Sequence, residues 1–210
     1  MVNLRDRGAL FCGGSLISRT HVLTAAHCME GRVRSQVTVH AGASTLSQSG
    51  ITRQIAEVYT SGAYNTRTRH SDVAVLKLVS AINSTSVGTI GLCNTPIKRG
   101  VGLRVYGWGL IAENGVRPSN RLRTIRVPVI RRQRCRRQYR GVSRLTRTMF
   151  CAAALGRRDS CTGDSGGPAV ANGRVCGIVS FGAGCARLNF PGVYTSVAAV
   201  REFINRSLTR

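Results

Sequence analysis

The chain has 210 residues, of which 42% are hydrophobic and 19% are charged, a balance typical of one globular domain or two small ones and not of a disordered chain. It carries a net charge of +23, and because only Lys77 and Lys98 are lysines, 29 of its 31 basic residues are arginines. This charge favours polyanionic partners, but an aromatic content of 5% argues against base stacking and so against sequence-specific recognition of nucleic acid.

Short segments rich in β-branched residues alternate with clusters of Gly, Ser, Asn and Pro, a pattern typical of an all-β sandwich or barrel. The predicted strands are residues 37–42, 53–60, 72–78, 103–109, 122–130 and 174–182. Asn172 and Gly173 predict a tight hairpin between two apolar runs, because both residues tolerate positive φ. The stretch 91–102, with one proline and three glycines, is predicted to connect two halves of the chain.

The C-terminal segment shows helical periodicity instead. Its apolar residues recur at helical spacing, namely Val197, Val200, Phe203, Ile204 and Leu208. We therefore expect a C-terminal amphipathic helix docked on the β-structure.

Eight cysteines lie at positions 12, 28, 93, 135, 151, 161, 176 and 185, without the paired CxxC units of a zinc site. Disulfides in an oxidising compartment fit this pattern, so we expect a secreted, extracellular protein. The residues after Met1 lack the apolar core of a signal peptide, and no run is long enough to span a bilayer. We therefore expect a chain truncated at its N-terminus, with no membrane span.

Three residues could together form a nucleophilic site. Ser165 lies among glycines in DSCTGDSGGPAV (159–170), where its hydroxyl can be exposed, but a serine needs a base to become a nucleophile. His27 in LTAAHC is the candidate base, and Asp72, just before an apolar strand, is the candidate orienting carboxylate. Taken singly, the same residues fit a surface turn, a core histidine and a strand-capping carboxylate. The chain order His, Asp, Ser is one known order of such a triad.

Five blocks of the sequence together carry a family resemblance. They are CGGSLISRTHVLTAAHC (12–28), SDVAVLKL (71–78), YGWG (106–109), DSCTGDSGGP (159–168) and GIVSFGAGCARLNFPGVYTSV (177–197). In this order they resemble the chymotrypsin-like serine proteases, trypsin branch. The resemblance implies an all-β fold of two packed six-stranded antiparallel β-barrels with a C-terminal α-helix. One peptidase domain would span 1–210, with an N-terminal barrel over about 1–92 and a C-terminal barrel plus helix over about 93–210.

The resemblance also implies a role for each candidate residue. Ser165 would attack the scissile carbonyl, His27 would act as general base and then general acid, and Asp72 would orient the imidazole. The backbone N–H groups of Gly163 and Ser165 would form the oxyanion hole.

A substrate-binding pocket is implied next to this site. Asp159 would lie at the floor of this pocket and select a substrate with Arg or Lys before the scissile bond. The sequence does not decide between Arg and Lys. An alternative for Asp159 is a turn carboxylate. The other implied pocket residues are Ser160 at the base, Ser180 and Gly182 against the substrate backbone, Phe181 at the adjoining subsite, and Gly182 with Gly192 in the walls.

Three disulfides follow from the resemblance: Cys12–Cys28, Cys135–Cys151 and Cys161–Cys185. Cys93 and Cys176 remain, and we pair them by elimination. The alternative for Cys93 is a bond to a separate activation segment, as in many relatives.

Asp164 is implied to bind the new N-terminus that forms when a zymogen of this family is activated. No sequence resembling the usual Ile-Val-Gly-Gly terminus is present. We therefore expect Asp164 to be an unpaired buried carboxylate, the pocket to stay zymogen-like, and the chain as written to be poorly active.

No cofactor or metal is predicted, because residues 42–52, where calcium-binding relatives have an acidic loop, contain no carboxylate. The expected partners are protein or peptide substrates and protease inhibitors, and the chain is expected to be a monomer. The cluster RRQRCRRQYR (131–140) is expected on a surface helix, either as a solvated basic face or as a site for heparin-like polyanions. Its candidate residues are Arg131, Arg132, Arg134, Arg136, Arg137 and Arg140.

Three functions therefore remain open. The first is a serine endopeptidase that cleaves after Arg or Lys. The second is a non-catalytic or zymogen-like homologue that acts as a binding or regulatory module, although an intact Ser165 argues against it. The third is a polyanion-binding protein with a protease-like fold.

Overall fold

The described part of the protein consists of short β-strands, three short 3₁₀ helices and two α-helices. The structure, a computed structural model, describes residues 1–110, 115–154, 163–185, 187 and 189–210. The strands are β1 (Val2–Asp6), β2 (Ala9–Leu16), β3 (His21–Thr24), β4 (Val37–Ala41), β5 (Ile51–Thr60), β6 (Ala74–Leu78), β7 (Gly91–Leu92), β8 (Gly102–Gly107), β9 (Arg123–Pro128), β10 (Met149–Ala152), β11 (Pro168–Ala171), β12 (Arg174–Phe181) and β13 (Gly192–Ser196). The helices are α1 (Arg132–Gln138) and α2 (Arg201–Leu208).

The first six strands form a closed antiparallel barrel in the order β1-β2-β3-β6-β5-β4. In β4 the side chains of Val37, Val39 and Ala41 are buried, while the alternate residues Thr38 and His40 are only partly buried. This period of two is what a strand needs to place one face in a barrel core.

The remaining strands form a second sheet in the order β10-β13-β12-β11-β8-β9, with the short β7 parallel to β12. An isolated bridge between Val129 and Ala152 brings the two ends of this order together, so the sheet curls into a barrel. The predicted all-β fold of two six-stranded antiparallel barrels is thus confirmed, and β7 is a two-residue addition to it.

The hairpin between β11 and β12 turns at Asn172 and Gly173, whose φ angles are 48° and 70°. Both residues lie in the left-handed region that a two-residue primed turn requires. The prediction of a hairpin at this dipeptide is confirmed.

The predicted C-terminal helix is also present as α2. Its buried Ile204, together with Val200 just before it, belongs to the hydrophobic cluster of the first barrel and not to that of the second. The last residues of the chain therefore return to cover the N-terminal half.

Disulfide bonds join the predicted pairs Cys12–Cys28, Cys135–Cys151 and Cys93–Cys176. Cys185 is disulfide-bonded as well, and its predicted partner, Cys161, lies outside the described residues. Each of the two bonds with a sequence separation of 16 closes a short loop, which contributes about 3 kcal/mol in the chain-entropy model.

Candidate active site

Asp72 lies at the junction of the two barrels, in the turn that leads into β6. Ser71 before it has a φ of 50°, and the N–H of Val73 donates to the carbonyl of Ser71, so the chain bends sharply here. Thr195 of the second barrel donates its hydroxyl to the backbone carbonyl of Asp72 at 3.0 Å. The position of the aspartate is thus fixed from both barrels.

The Asp72 carboxylate is fully buried and accepts three hydrogen bonds. The backbone N–H of His27 donates to Oδ1 at 2.9 Å, and Ser180 Oγ donates to Oδ2 at 2.5 Å. His27 Nδ1 lies 2.8 Å from Oδ2. A buried charge needs such donors, because an uncompensated carboxylate away from water costs several kcal/mol.

The contact with Asp72 determines which ring nitrogen of His27 carries a proton in the neutral imidazole. A carboxylate only accepts hydrogen bonds, so Nδ1 carries the proton and a neutral imidazole leaves Nε2 as an acceptor. His27 lies in the short 3₁₀ helix Ala26–Met29 after β3, and its side chain is 15% exposed. Its free nitrogen can therefore act as a base at the protein surface.

Ser165 lies in a turn that is held by backbone hydrogen bonds to both barrels. Its carbonyl accepts from the N–H of Gly13 at 2.7 Å, and the N–H of Gly166 donates to the carbonyl of Val179 at 2.8 Å. A Cβ atom at Gly166 would lie 2.2 Å from the hydroxyl oxygen of Thr24, so only glycine fits there. The serine is thus displayed on a rigid backbone.

His27 and Ser165 line the same cleft, which has a volume of about 370 Å³. Gly163, Ser180, Phe181 and Gly182 line it as well. Across the described residues, no hydrogen bond joins the hydroxyl of Ser165 to the ring of His27. Such contacts are often long in unliganded sites and tighten when a substrate binds.

Not all predicted pocket residues lie in this cleft. Gly192 is the first residue of β13, where it pairs with Ala152, and it is not among the described residues that line the cleft. Asp159 and Ser160 lie outside the described residues.

Asp164 differs from the expectation of an unpaired buried carboxylate. It is half-buried, and its Oδ1 accepts a hydrogen bond of 2.8 Å from the backbone N–H of Gly109. A Cβ atom at Gly109 would lie 2.6 Å from that oxygen, so a glycine is needed for this approach. The expectation was wrong because it considered only a terminal ammonium as partner and not the YGWG segment.

A polar network that the sequence analysis missed connects the loops of His27 and Asp72. The N–H of Glu30 donates to the His27 carbonyl at 3.3 Å, and Tyr64 donates its hydroxyl to the Glu30 carboxylate at 2.8 Å. Arg69 donates to Tyr64 at 2.6 Å and to Glu30 at 3.0 Å. Burial, the hydrogen bond to Glu30 and the nearby Asp72 all raise the pKa of Tyr64, which keeps it a donor.

Cys12, His27 and Cys28 form the one cluster of potential metal ligands that the described part of the chain contains. Their sulfur atoms are bonded to each other, so neither is a thiolate that could ligate an ion. The cluster is therefore a disulfide next to the histidine.

None of the helices in the described ranges combines the length and the apolar character that crossing a membrane requires.

Comparisons with known proteins match nearly the whole chain to one family. Residues 1–204 match the family model described as Trypsin. The chain is 43% identical over 209 residues to Seminase from Drosophila melanogaster, covering 99% of this chain and 76% of that protein. It is 36% identical to Trypsin delta from the same fly, covering 97% of this chain and 81% of that protein.

A solved structure gives the same assignment. Neuropsin, a serine protease expressed in the limbic system of mouse brain, superposes with a TM-score of 0.91 and 30% sequence identity, covering 99% of this chain and 93% of that one. The chain therefore belongs to the trypsin family of serine proteases.

Proposed function

We propose that the protein is a serine endopeptidase in which Ser165, His27 and Asp72 form the catalytic triad and which cleaves peptide bonds after Arg or Lys. The observation that carries the proposal is the 2.8 Å contact between His27 Nδ1 and the buried Asp72 carboxylate, in a cleft that Ser165 also lines. The membership of the trypsin family supports it.

In the proposed reaction, Ser165 Oγ forms a bond to the scissile carbonyl carbon while its proton moves to His27 Nε2. The imidazolium is stabilised by Asp72 and then gives the proton to the leaving amine as the C–N bond breaks. Water hydrolyses the resulting acyl-enzyme by the same steps, again with His27 as the base. Serine, histidine and aspartate end each cycle unchanged.

The oxyanion of the tetrahedral intermediate would be held by the backbone N–H groups of Gly163 and Ser165. Gly163 has a φ of 96°, which a residue with a side chain would adopt only under strain. Each preorganised donor of this kind stabilises the transition state by roughly 3 kcal/mol.

Specificity is assigned to Asp159 on the sequence motif, six residues before the nucleophile. The relatives named trypsins and the absence of a side chain at Gly182, which lines the cleft, support a long cationic substrate residue. The disulfides support a secreted protein, whose substrates would then be extracellular proteins. The membership of the trypsin family supports protease inhibitors as further partners.

The test is hydrolysis of a matched set of peptide amides that differ only in the residue before the scissile bond: Arg, Lys, Phe or Ala. Because Asp164 accepts a hydrogen bond from Gly109 and is not the unpaired carboxylate on which the expectation of poor activity rested, the intact chain is expected to cleave the Arg and Lys substrates. Ser165→Ala is expected to cleave none. Asp159→Ser is expected to lose the preference for Arg and Lys but to keep residual hydrolysis. Turnover that survives in Ser165→Ala would contradict the proposed triad. An unchanged preference for Arg and Lys in Asp159→Ser would contradict the proposed specificity. An intact chain that cleaves none of the substrates would favour a binding role.

A further inference from the structure

The described chain contains a second concave surface, about 900 Å³ in volume, formed by α1 and the turn that follows it. We call it the arginine groove, and its basic lining residues are Arg132, Arg136, Arg137, Arg140 and Arg144. None of these residues lines the cleft of Ser165. The groove is therefore a separate site.

The groove has an excess of positive charge that no acidic residue of the described chain neutralises by an ion pair. No acidic residue occurs between Glu113 and Asp159 in the sequence. In the described chain, ion pairs of arginine involve Arg32, Arg69 and Arg206, and none involves an arginine of the groove. These like charges repel one another, so an anion from outside would be stabilised here.

The arginines of the groove do not all have the same role. Arg132 turns back and donates to the backbone carbonyls of Met149, Leu145 and Thr146, at 2.6, 3.3 and 2.6 Å. It therefore anchors the strand that follows. The side chains of Arg136, Arg137, Arg140 and Arg144 are exposed and have no hydrogen-bond partner in the described chain. The structure thus removes Arg132 from the set expected from the sequence and adds Arg144. Arg131 and Arg134 of that set are exposed but do not line the groove.

The spacing of the unpaired arginines suits an extended ligand. Arg136 and Arg137 lie in the last turn of α1, and Arg140 lies in the turn just after the helix ends. Arg144 continues the charge beyond that turn. Guanidinium groups that line one groove in succession can bind successive oxyanions of a linear chain, each with paired N–H donors.

The groove lacks a surface on which nucleic-acid bases could stack. Its aromatic residue, Tyr139, is only 1% exposed, and its hydroxyl donates to the carbonyl of Pro191 at 2.7 Å. Tyr139 also packs edge-on against Phe181 and Phe190. Only Val142 offers an exposed apolar side chain at the groove, which is too little for insertion into a lipid surface.

We propose that the arginine groove binds a linear sulfated glycan of the heparin type through Arg136, Arg137, Arg140 and Arg144. The disulfides are consistent with an oxidising, extracellular environment, in which such glycans occur. The proposal goes beyond the proteolytic function and does not depend on it.

The test measures binding of a heparin hexasaccharide by titration calorimetry, with Ser165→Ala as the parent so that proteolysis does not interfere. The groove variant is R136Q/R140Q, since Gln keeps a good helix-forming side chain. The matched control is R104Q/R126Q, which removes the same charge from an exposed cross-strand pair on β8 and β9 outside the groove. A thermal melt of each variant reports whether the fold is intact.

The groove variant is expected to lose about tenfold or more in affinity, whereas the control changes less than about twofold. Affinity of the parent should also fall steeply between about 50 and about 200 mM NaCl. Equal losses in both variants would show non-specific charge attraction and overturn the proposal. Equally tight binding of a single-stranded DNA of the same charge would overturn the assignment to a sulfated glycan. If the parent does not measurably bind the heparin hexasaccharide, the proposed binding site itself is overturned.

Discussion

The carboxylate of Asp72 and the unpaired arginines of the arginine groove carry charge in opposite environments. The carboxylate is fully buried and accepts three hydrogen bonds from within the chain. The side chains of Arg136 and Arg140 are exposed and have no partner in the described residues. A buried charge must find its donors inside the fold, whereas an exposed one is solvated by water and stays available to another molecule. This difference matches the two proposed roles, catalysis for the first charge and ligand binding for the second.

The largest effect is expected from removing the buried charge while keeping its shape. In Asp72→Asn, the amide nitrogen would face His27 Nδ1, so the proton would move to Nε2 and the base would be lost. We expect kcat to fall about 10⁴-fold, the loss that this substitution causes in the serine-protease triad studied in most detail. Steady-state hydrolysis of an Arg amide measures it.

A loss of less than tenfold for Asp72→Asn would show that the carboxylate does not set the tautomer of His27. Circular dichroism and a thermal melt serve as controls for folding. The contact from Thr195 to the backbone of residue 72 is expected to hold the loop in place in this variant.

A smaller effect is expected when only one donor to the carboxylate is removed. Ser180→Ala deletes the hydroxyl that donates to Asp72 Oδ2 and leaves both contacts with His27. Because a hydrogen bond to a charged group contributes roughly 1.5–3 kcal/mol, we expect kcat to fall by a factor between about 10 and about 100.

The matched control for Ser180→Ala is Ser207→Ala, which removes another buried hydroxyl whose acceptor is the carbonyl of Phe203 in α2. It should leave kcat unchanged. Equal effects of the two variants on kcat would indicate a general loss of stability instead of a weakened carboxylate.

The smallest expected effect is on how the free energy of unfolding depends on pH. It comes from His21 and His40, which would have to become charged in a partly or fully buried position. Burial and the nearby Lys77 lower the pKa of His21, and burial and Arg5 lower that of His40, from an ordinary value of 6.5. His21 Nε2 is buried and has no hydrogen-bond partner in the described chain, so a proton there would be unsatisfied.

The unfolded state therefore binds more protons than the folded state as the pH falls through 6.5, and the free energy of unfolding decreases. Urea unfolding midpoints at several pH values measure this slope. In the variant H21N/H40Q we expect a flatter dependence on pH. Identical slopes in the variant and the parent would contradict the assignment to these histidines.

Features that depend on neighbouring residues in the chain could be predicted from the sequence. The turn at Asn172 and Gly173 follows from the φ preferences of two adjacent residues, and the helix α2 follows from the spacing of its apolar side chains. The cleft residues Ser165 and His27 lie in local motifs whose resemblance to a family is specific.

Contacts between distant residues could not be predicted in this way. Tyr64 and Glu30 are 34 residues apart, and Arg69 and Glu30 are 39 apart, so their network depends on how the loops meet in the folded barrel. The inward turn of Arg132 likewise depends on where β10 lies relative to α1. No composition or periodicity signal distinguishes Arg132 from the other arginines of its helix.

The most direct test of the proposed triad is covalent labelling with a peptide phosphonate that carries an Arg-like side chain. We expect a single adduct on the intact chain, located at Ser165 by mass spectrometry, and none on Ser165→Ala or Asp72→Asn within the same time. A phosphonate with a Phe-like side chain should label far more slowly. Absence of the adduct on the intact chain, or an adduct that persists in Ser165→Ala, would contradict the account.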